Sequence, residues 1–199
     1  MTMAPLIANG KVLVGASGGE RGIRGFVAAY DAATGDEVWR SYTVPGPGEP
    51  GNETWPGDTW KTGGASIWVT GSFDPDLNLT YWGTGNPGPW IGDQRPGDNL
   101  FTNSVVAFDA DTGEMKAHHQ YHHNGSWDWD EVSAPLLIDV RRNGRTIKSL
   151  VHPARNGYLW LLEREANAIT FIDAHPYVDQ NVFASIDPVT GRPTYDQER

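Results

Sequence analysis

The sequence predicts an all-β fold made of short strands joined by many turns. The 199 residues include 24 Gly, 14 Pro and 9 Trp, whereas stretches that favour helices are scarce. Gly and Pro interrupt regular elements and mark turns, so this composition favours strands over helices. Strand-like runs occur at residues 11–14, 25–30, 65–70, 79–82, 104–108, 136–140, 149–152 and 158–162.

An internal repeat predicts how these strands are arranged. Residues 29–39, AYDAATGDEVW, align with residues 107–117, AFDADTGEMKA, while a weaker copy lies at 161–171 and a fragment at 186–192. In the three units other than this weaker copy, a strand leads into an Asp-x-x-Thr-Gly turn, where Asp accepts hydrogen bonds from turn amides and Gly supplies a positive φ. A second strand then departs, which makes a hairpin. Hairpins that recur in this way predict blades of a β-propeller, each covered by its neighbours.

The chain shows no linker that would divide it into two domains. Residues 45–64 repeat Pro, Gly and Trp and are too irregular for a strand, so we expect a long functional or packing loop. Three or four blade equivalents leave unpaired strand edges at both ends. We therefore expect residues 1–199 to form a partial β-propeller domain that is incomplete at both ends.

Charge and composition exclude several classes of function. The formal net charge is −10 and there is no run of Lys or Arg, which argues against a nucleic-acid or anionic-membrane partner. No apolar run approaches the roughly 20 residues that cross a bilayer. The chain contains no Cys, so disulfides, thiolate metal sites and a Cys nucleophile are excluded within it. The first residues do not resemble a secretory signal, which indicates either a cytoplasmic protein or a missing beginning.

Two glycine-rich segments could approach a ligand. Residues 15–25, GASGGERGIRG, form a glycine-dense loop between two predicted strands, with Glu20 at its rim. Residues 83–90, GTGNPGPW, directly follow a strand, and Asn86 could present its amide oxygen to a hard cation. Taken alone, each pattern also fits an ordinary turn.

Two further segments carry charge. In residues 126–131, SWDWDE, an extended backbone would place Asp128 and Asp130 on one face, where their repulsion favours a cation or a proton between them. A solvated acidic turn is the alternative. In residues 154–158, ARNGY, Asn-Gly marks a turn and Arg155 offers a planar donor group. The four histidines within residues 118–123 lack metal-site spacing and fit surface or packing roles better.

Taken together and in this order, the four segments resemble the pyrroloquinoline-quinone (PQQ) dependent methanol and ethanol dehydrogenases. The resemblance implies that Glu20 and Asn86 are metal ligands, that Asp128 is the catalytic base, and that Arg155 lies beside the quinone. It also implies a cofactor floor at Trp68, which stands 18 residues before Asn86. Ser66 takes the place of a hydrogen-bonding Thr, and Ser17, Gly18 and Gly19 would contact the edge of the cofactor.

The resemblance implies several further properties. The fold would be several blades of an eight-bladed quinoprotein propeller, with tryptophan docking between blades. Ala117 and Phe171 stand where a Trp is usual, so those two contacts should be weaker. The expected activity is oxidation of a primary alcohol to an aldehyde in the periplasm, with a cytochrome c as electron acceptor. The metal would be Ca²⁺ or a lanthanide ion held by Glu20, Asn86, Asp128 and Asp130.

The additional carboxylate of Asp130 favours the lanthanide, because another anionic oxygen stabilises a trivalent cation more than a divalent one. Family members that use lanthanides resemble this sequence at that position.

Two other functions remain open at this point. One is a non-catalytic propeller scaffold or assembly protein, which would have no reason to carry the four site residues in order. The other is a PQQ-dependent sugar dehydrogenase on the same kind of propeller. With an open ring, we also expect the fragment by itself to be inactive.

Overall fold

The computed structural model describes residues 2–196, and these form an all-β fold, as the sequence predicts. Three antiparallel sheets of four strands follow one another along the chain, and a two-stranded hairpin follows the third. Each sheet is a meander in which sequential strands pair, and each is called a blade below.

The first blade contains β1 (Leu6–Ala8), β2 (Lys11–Gly15), β3 (Phe26–Asp31) and β4 (Glu37–Tyr42). The second contains β5 (Ser72–Asp74), β6 (Leu79–Gly83), β7 (Ser104–Asp109) and β8 (Met115–Gln120). The third contains β9 (Leu136–Arg142), β10 (Arg145–Pro153), β11 (Tyr158–Glu165) and β12 (Ala168–Pro176), and the hairpin contains β13 (Phe183–Ile186) and β14 (Pro193–Tyr195). Short 3-10 turns occupy Gly19–Arg21, Asn52–Thr54, Thr59–Thr62 and Gly92–Gln94.

The hydrophobic core lies between blades. One cluster joins the first and second blades around Leu13, Val27 and Trp82, and another joins the second and third around Tyr81 and Trp160. All five residues of β6 are buried, because this strand is covered on both faces. The second blade therefore depends on both neighbours to exclude water from its apolar surface.

The predicted Asp-x-x-Thr-Gly turns are present. The Oδ1 atoms of Asp31, Asp109 and Asp187 each accept hydrogen bonds from the amides two and three residues later. These bonds hold the pKa of Asp31 and Asp187 below the usual value, because they stabilise the ionised form. The fragmentary repeat at residues 186–192 is thus confirmed as the turn that joins β13 to β14.

An aromatic side chain from one blade packs on the turn glycine of the next. Trp39 Nε1 donates to the carbonyl of Ala110 at 3.2 Å, and a Cβ at Gly113 would lie 2.6 Å from the Trp39 ring. Phe171 stands in the same relation to Gly191, where a Cβ would lie 2.5 Å from the ring. A glycine is needed here because the ring occupies the space of a side chain.

The prediction of a strand at residues 65–70 is wrong. Ala65 N donates to Asn86 O at 3.1 Å and Ser66 O accepts from Gly85 N at 2.8 Å, whereas Ile67 N donates to Ala16 O at 2.8 Å. The backbone thus bonds to loops of two different blades, and Ala65 has a φ of 49°. Such a path between blades makes no strand ladder, although its apolar composition resembles that of a strand.

The prediction of a long loop at residues 45–64 is confirmed, and the loop has a packing role. Trp55 is buried against Val44 and Ala65, and its Nε1 donates to the carbonyl of Leu100. The loop thereby covers one end of the first blade. Over the described range 2–196, no helix is long and apolar enough to span a membrane.

Replacing Gly113, the turn glycine that contacts Trp39, and comparing it with Gly35 should separate the cost of backbone strain from that of packing between blades. Gly113 has a φ of +74° and touches Trp39, while Gly35 has a φ of +80° and nothing within 4 Å of the position that a Cβ would take. We expect Gly35→Ala to lower the free energy of unfolding by about 1 kcal/mol from backbone strain alone. Gly113→Ala should cost about 2 kcal/mol more through the clash with Trp39. Urea denaturation measures both, and equal losses would show that the Trp39 contact contributes nothing.

His119 should make stability depend on pH. It is buried among the rings of Tyr121, Trp160 and Phe171, and burial, with His118 and His152 nearby, lowers its pKa to about 3. The unfolded chain binds a proton near pH 6.5 that the folded chain does not bind until about pH 3, so this contribution to stability is lost as pH falls through that window.

We therefore expect His119→Gln to reduce the decline in stability by about 1 kcal/mol per pH unit below pH 6. Urea denaturation at a series of pH values compares the two proteins. Parallel curves for the variant and the original protein would contradict this assignment.

Candidate active site

Eight of the ten residues predicted for the site line one cavity of about 420 Å³. Glu20, Asn86, Asp128 and Asp130 line it together with Trp68. The full lining is Thr2, Ser17, Gly18, Glu20, Ser66, Trp68, Asn86, Trp90, Asp128 and Asp130.

Separate connecting segments deliver these side chains. Glu20 lies in the 3-10 turn between β2 and β3, and Asn86 follows β6. Ser66 and Trp68 lie on the irregular path between the first two blades, while Asp128 and Asp130 lie between β8 and β9. The cavity therefore forms where connections at one end of neighbouring blades converge, as ligand sites on rigid β scaffolds commonly do.

Asp130 holds two of the other segments together. Its Oδ1 accepts the backbone N–H of Asn86 at 2.8 Å, and its Oδ2 accepts Trp68 Nε1–H at 2.9 Å. A Cβ at residue 85 would lie 2.6 Å from Asp130 Oδ1 and 2.8 Å from Ser66 Oγ, so only Gly85 allows this approach. The carboxylate thus orients both the indole of Trp68 and the loop that carries Asn86.

The electrostatics of Asp130 reflect opposing effects. Burial raises its pKa, and the hydrogen bonds from Asn86 and Trp68 partly oppose this by stabilising the charged form. The neighbouring charge of Asp128 raises the pKa further, while the positive charge of Arg155 lowers it. A cation in the cavity would relieve the repulsion between the two carboxylates.

The backbone at Asp128 differs from the extended conformation that the sequence suggests. Its φ is 54°, in the left-handed region, and no strand includes residues 121–135. Asp128 and Asp130 both line the cavity despite this. The stacking of Trp127 on Trp129, with centroids 5.4 Å apart, accompanies the turn between them.

Gly19 and Arg155 do not line the cavity. Gly19 is buried behind it, where a Cβ would lie 3.0 Å from Ser66 Oγ, so its place in the fold is close packing against the segment that carries Ser66. The side chain of Arg155 is exposed, although its charge acts on Asp130. Arg155 thus stands beside the acidic pair and outside the cavity wall.

The donor atoms suit a hard cation. Carboxylate oxygens and an amide oxygen are the ligands preferred by Ca²⁺ and similar ions, and Asn86 Nδ2 donates to Pro87 O at 3.1 Å, which leaves its oxygen for the cavity. As the side chains stand, no three His, Cys, Asp or Glu groups within residues 2–196 converge on a single point. The Glu20 side chain is exposed, and its Oε1 lies 3.4 Å from Arg21 Nε at the edge of the cavity.

The sequence did not single out Arg95, which shapes the rim of the cavity. Arg95 is fully buried and donates to Pro89 O at 2.6 Å, to Trp90 O at 3.1 Å and to Gly125 O. Burial lowers its pKa to about 10. Its guanidinium group therefore joins the loop of Trp90 to the loop that precedes Asp128, and a single Arg within a loop carries no sequence signal for such a role.

The sequence pattern does not indicate the role of Glu131 either. Its side chain is fully buried, and its Oε2 lies 2.9 Å from His152 Nε2. In the sequence it follows two acidic residues and is indistinguishable from a solvated acidic turn.

The chain matches a known protein family over most of its length. Residues 1–182 match the family described as "PQQ: Glucose/ethanol/alcohol dehydrogenase, beta-propeller domain". The chain is 39% identical to methanol dehydrogenase (cytochrome c) subunit 1 of Methylorubrum extorquens, over 100% of this chain and 34% of the relative. It is also 39% identical to the lanthanide-dependent methanol dehydrogenase of Methylacidiphilum fumariolicum, over 97% of this chain and 34% of the relative.

Solved structures confirm the propeller architecture. The quinohemoprotein alcohol dehydrogenase ADHIIG from Pseudomonas putida superimposes with a TM-score of 0.93 at 39% identity, covering 100% of this chain and 31% of that one. A europium-containing methanol dehydrogenase gives a TM-score of 0.92 at 39% identity, covering 100% and 37%. The chain spans about a third of the length of the curated relatives it matches. The family match over residues 1–182 and the relatives at 39% identity show that the chain belongs to the PQQ-dependent glucose/ethanol/alcohol dehydrogenase β-propeller family.

Proposed function

We propose that the full-length protein oxidises a primary alcohol to an aldehyde with PQQ as the hydride acceptor. The observation that supports this most is that Glu20, Asn86, Asp128 and Asp130 line the same cavity as Trp68. Relatives at 39% identity carry the names of methanol dehydrogenases, which supports the same reaction.

The cofactor would lie on the flat face of Trp68, whose indole Asp130 holds in place. Ser17, Gly18 and Ser66 would contact its edge, with Gly19 allowing the close packing behind them. When bound, PQQ with its metal ion would supply a two-electron acceptor for the alcohol, with the cation as a Lewis acid that makes the quinone easier to reduce.

The metal would be held by Glu20, Asn86, Asp128 and Asp130. We propose a lanthanide in preference to Ca²⁺, because the additional, half-buried carboxylate of Asp130 stabilises a trivalent ion more than a divalent one. One solved relative is named as containing europium and one curated relative as lanthanide-dependent, which supports the proposal.

Asp128 would act as the general base. It accepts the hydroxyl proton of the alcohol as the hydride leaves the carbinol carbon, so the alcohol loses two electrons and two hydrogens to become the aldehyde. Arg155 would supply positive charge beside Asp128 and Asp130, which would favour reduction of a quinone bound in the cavity. This assignment needs an ionised Asp128, which a neighbouring cation favours.

The electrons would then pass to a cytochrome c, and the reaction would take place in the periplasm. The first curated relative carries cytochrome c in its name, which supports this acceptor. A non-catalytic scaffold would gain nothing from gathering mutually repelling carboxylates around one open cavity, and this argues against that alternative. The sugar dehydrogenase alternative is tested by the choice of substrate.

Reconstitution of the full-length protein tests the activity. Loaded with PQQ and either Ca²⁺ or La³⁺, it should reduce an artificial electron-accepting dye in the presence of primary alcohols and fail with aldoses. Asp128→Asn should lower kcat by about 10²- to 10⁴-fold because the general base is lost. PQQ should still bind, since the amide oxygen of Asn can replace the carboxylate oxygen as a neutral metal ligand. Activity with aldoses alone, or an unchanged kcat in the variant, would contradict the proposal.

The preference for a lanthanide is tested at Asp130. We expect Asp130→Ala to lower La³⁺-supported activity by about 10- to 100-fold, because a ligand and the anchor of Trp68 are lost together. Asp58→Ala, which removes an exposed carboxylate paired with Lys61, is the control and should leave activity unchanged. If La³⁺-supported activity survives in Asp130→Ala, the lanthanide assignment is wrong.

A further inference from the structure

Glu131 is a buried carboxylate at the end of residues 126–131, called the acidic loop below. It joins this loop to the turn of residues 154–158, which carries Arg155. Its Oε2 accepts the backbone N–H of Arg155 at 3.0 Å, and its Oε1 accepts that of Asn156 at 3.3 Å. His152, at the end of β10, approaches Oε2 at 2.9 Å. The three partners of Glu131 lie within residues 152–156 of the third blade.

The environment of Glu131 explains why these contacts matter. The carboxylate has no exposed surface, and a buried charge is costly unless hydrogen bonds compensate for it. Amide groups that donate to a carboxylate make stronger bonds than those that donate to a neutral acceptor. The position of residues 155 and 156 is therefore coupled to the position of Glu131.

The other side of Glu131 is anchored to the second blade. A Cβ at Gly83, the last residue of β6, would lie 2.2 Å from Glu131 O and 2.8 Å from the Cα of Val132. The backbone of the acidic loop thus rests directly on the end of β6, three residues before Asn86. Glu131 therefore connects two blades at the edge of the cavity.

Hydrogen bonds within residues 154–160 hold the turn that carries Arg155. Gly157 N donates to Ala154 O at 3.1 Å, and the side-chain oxygen of Asn156 accepts from Tyr158 N and from Trp160 Nε1, both at 3.2 Å. Because these bonds link the residues of the turn to one another, the two amides that Glu131 accepts from connect it to the whole turn.

We propose that Glu131 is a positioning residue that places Arg155 beside Asp128 and Asp130. The charge of Arg155 acts on Asp130, the residue adjacent to Glu131, so a shift of the turn would change the field at the acidic pair. The inference rests on the proposed function, since it assigns Glu131 to the same site. Glu131 lies behind the cavity wall and acts through Arg155.

The second blade offers a matched control in Asp74. This carboxylate is also buried, accepts the amides of Asp76 and Leu77 at 2.9 and 3.2 Å, and pairs with a basic side chain, Arg164, at 2.8 Å. Asp74 does not line the cavity. Its loss should destabilise the fold in a similar way without moving Arg155.

The experiment compares Glu131→Ala, Glu131→Gln and Asp74→Ala in the full-length protein. Hydrogen exchange at the amides of Arg155 and Asn156 should accelerate at least about tenfold in Glu131→Ala. The Kd of PQQ, measured by titration of the metal-loaded apoprotein, should rise about tenfold in the same variant. Glu131→Gln, which keeps a carbonyl acceptor, should recover part of both effects, and Asp74→Ala should show neither.

A double variant separates positioning from general support of the fold. If Glu131 acts through Arg155, Glu131→Ala should have little further effect on PQQ affinity once Arg155→Ala is present. Additive effects, or an Asp74→Ala effect on PQQ affinity equal to that of Glu131→Ala, would overturn the inference. A protein that binds PQQ but oxidises no alcohol would instead overturn the proposed function, while exchange and affinity would still test Glu131.

Discussion

The cavity depends on the two hydrogen bonds that Asp130 accepts from Asn86 N and Trp68 Nε1. These bonds attach the loop of Asp130 to the segments of Asn86 and Trp68. Those two segments are joined to each other by the backbone bonds from Ala65 N to Asn86 O and from Gly85 N to Ser66 O. The desolvation of a buried carboxylate is offset only when such donors are in place. The same group therefore closes the site and creates the negative charge that a cation would neutralise.

This arrangement requires the blades to stand at a defined distance. Trp39 packed on Gly113 joins the first blade to the second, and Phe171 packed on Gly191 joins the third blade to the hairpin. In both contacts a ring occupies the place of a side chain. Since the site-bearing segments are connections between strands, their relative positions follow from the spacing of the blades. The packing of an aromatic ring on a turn glycine therefore also influences the positions of the side chains that line the cavity.

The distribution of charge near the cavity divides into two parts. Glu20, Asp128 and Asp130 face the open space, where a cation can compensate for them. Glu131 faces inward and is compensated by His152 and two backbone amides. Adjacent acidic residues in one loop therefore have different roles, which depend on the partner that each side chain meets. Arg155 is the basic group whose charge reaches Asp130 from the side, and its place depends on the turn to which Glu131 is bonded.

The sequence by itself determined the all-β class, the hairpin turns at Asp31, Asp109 and Asp187, and the segments that form the cavity. These features are local, since turn chemistry and strand alternation depend on neighbouring residues. Only the tertiary structure decided that residues 65–70 form no strand, that Asp128 adopts a left-handed φ of 54°, and that Gly19 and Arg155 lie outside the cavity wall. It also decided the inward roles of Glu131 and Arg95. Each of these depends on hydrogen bonds and burial between segments distant in the chain, and a pattern of neighbouring residues carries no information about such partners.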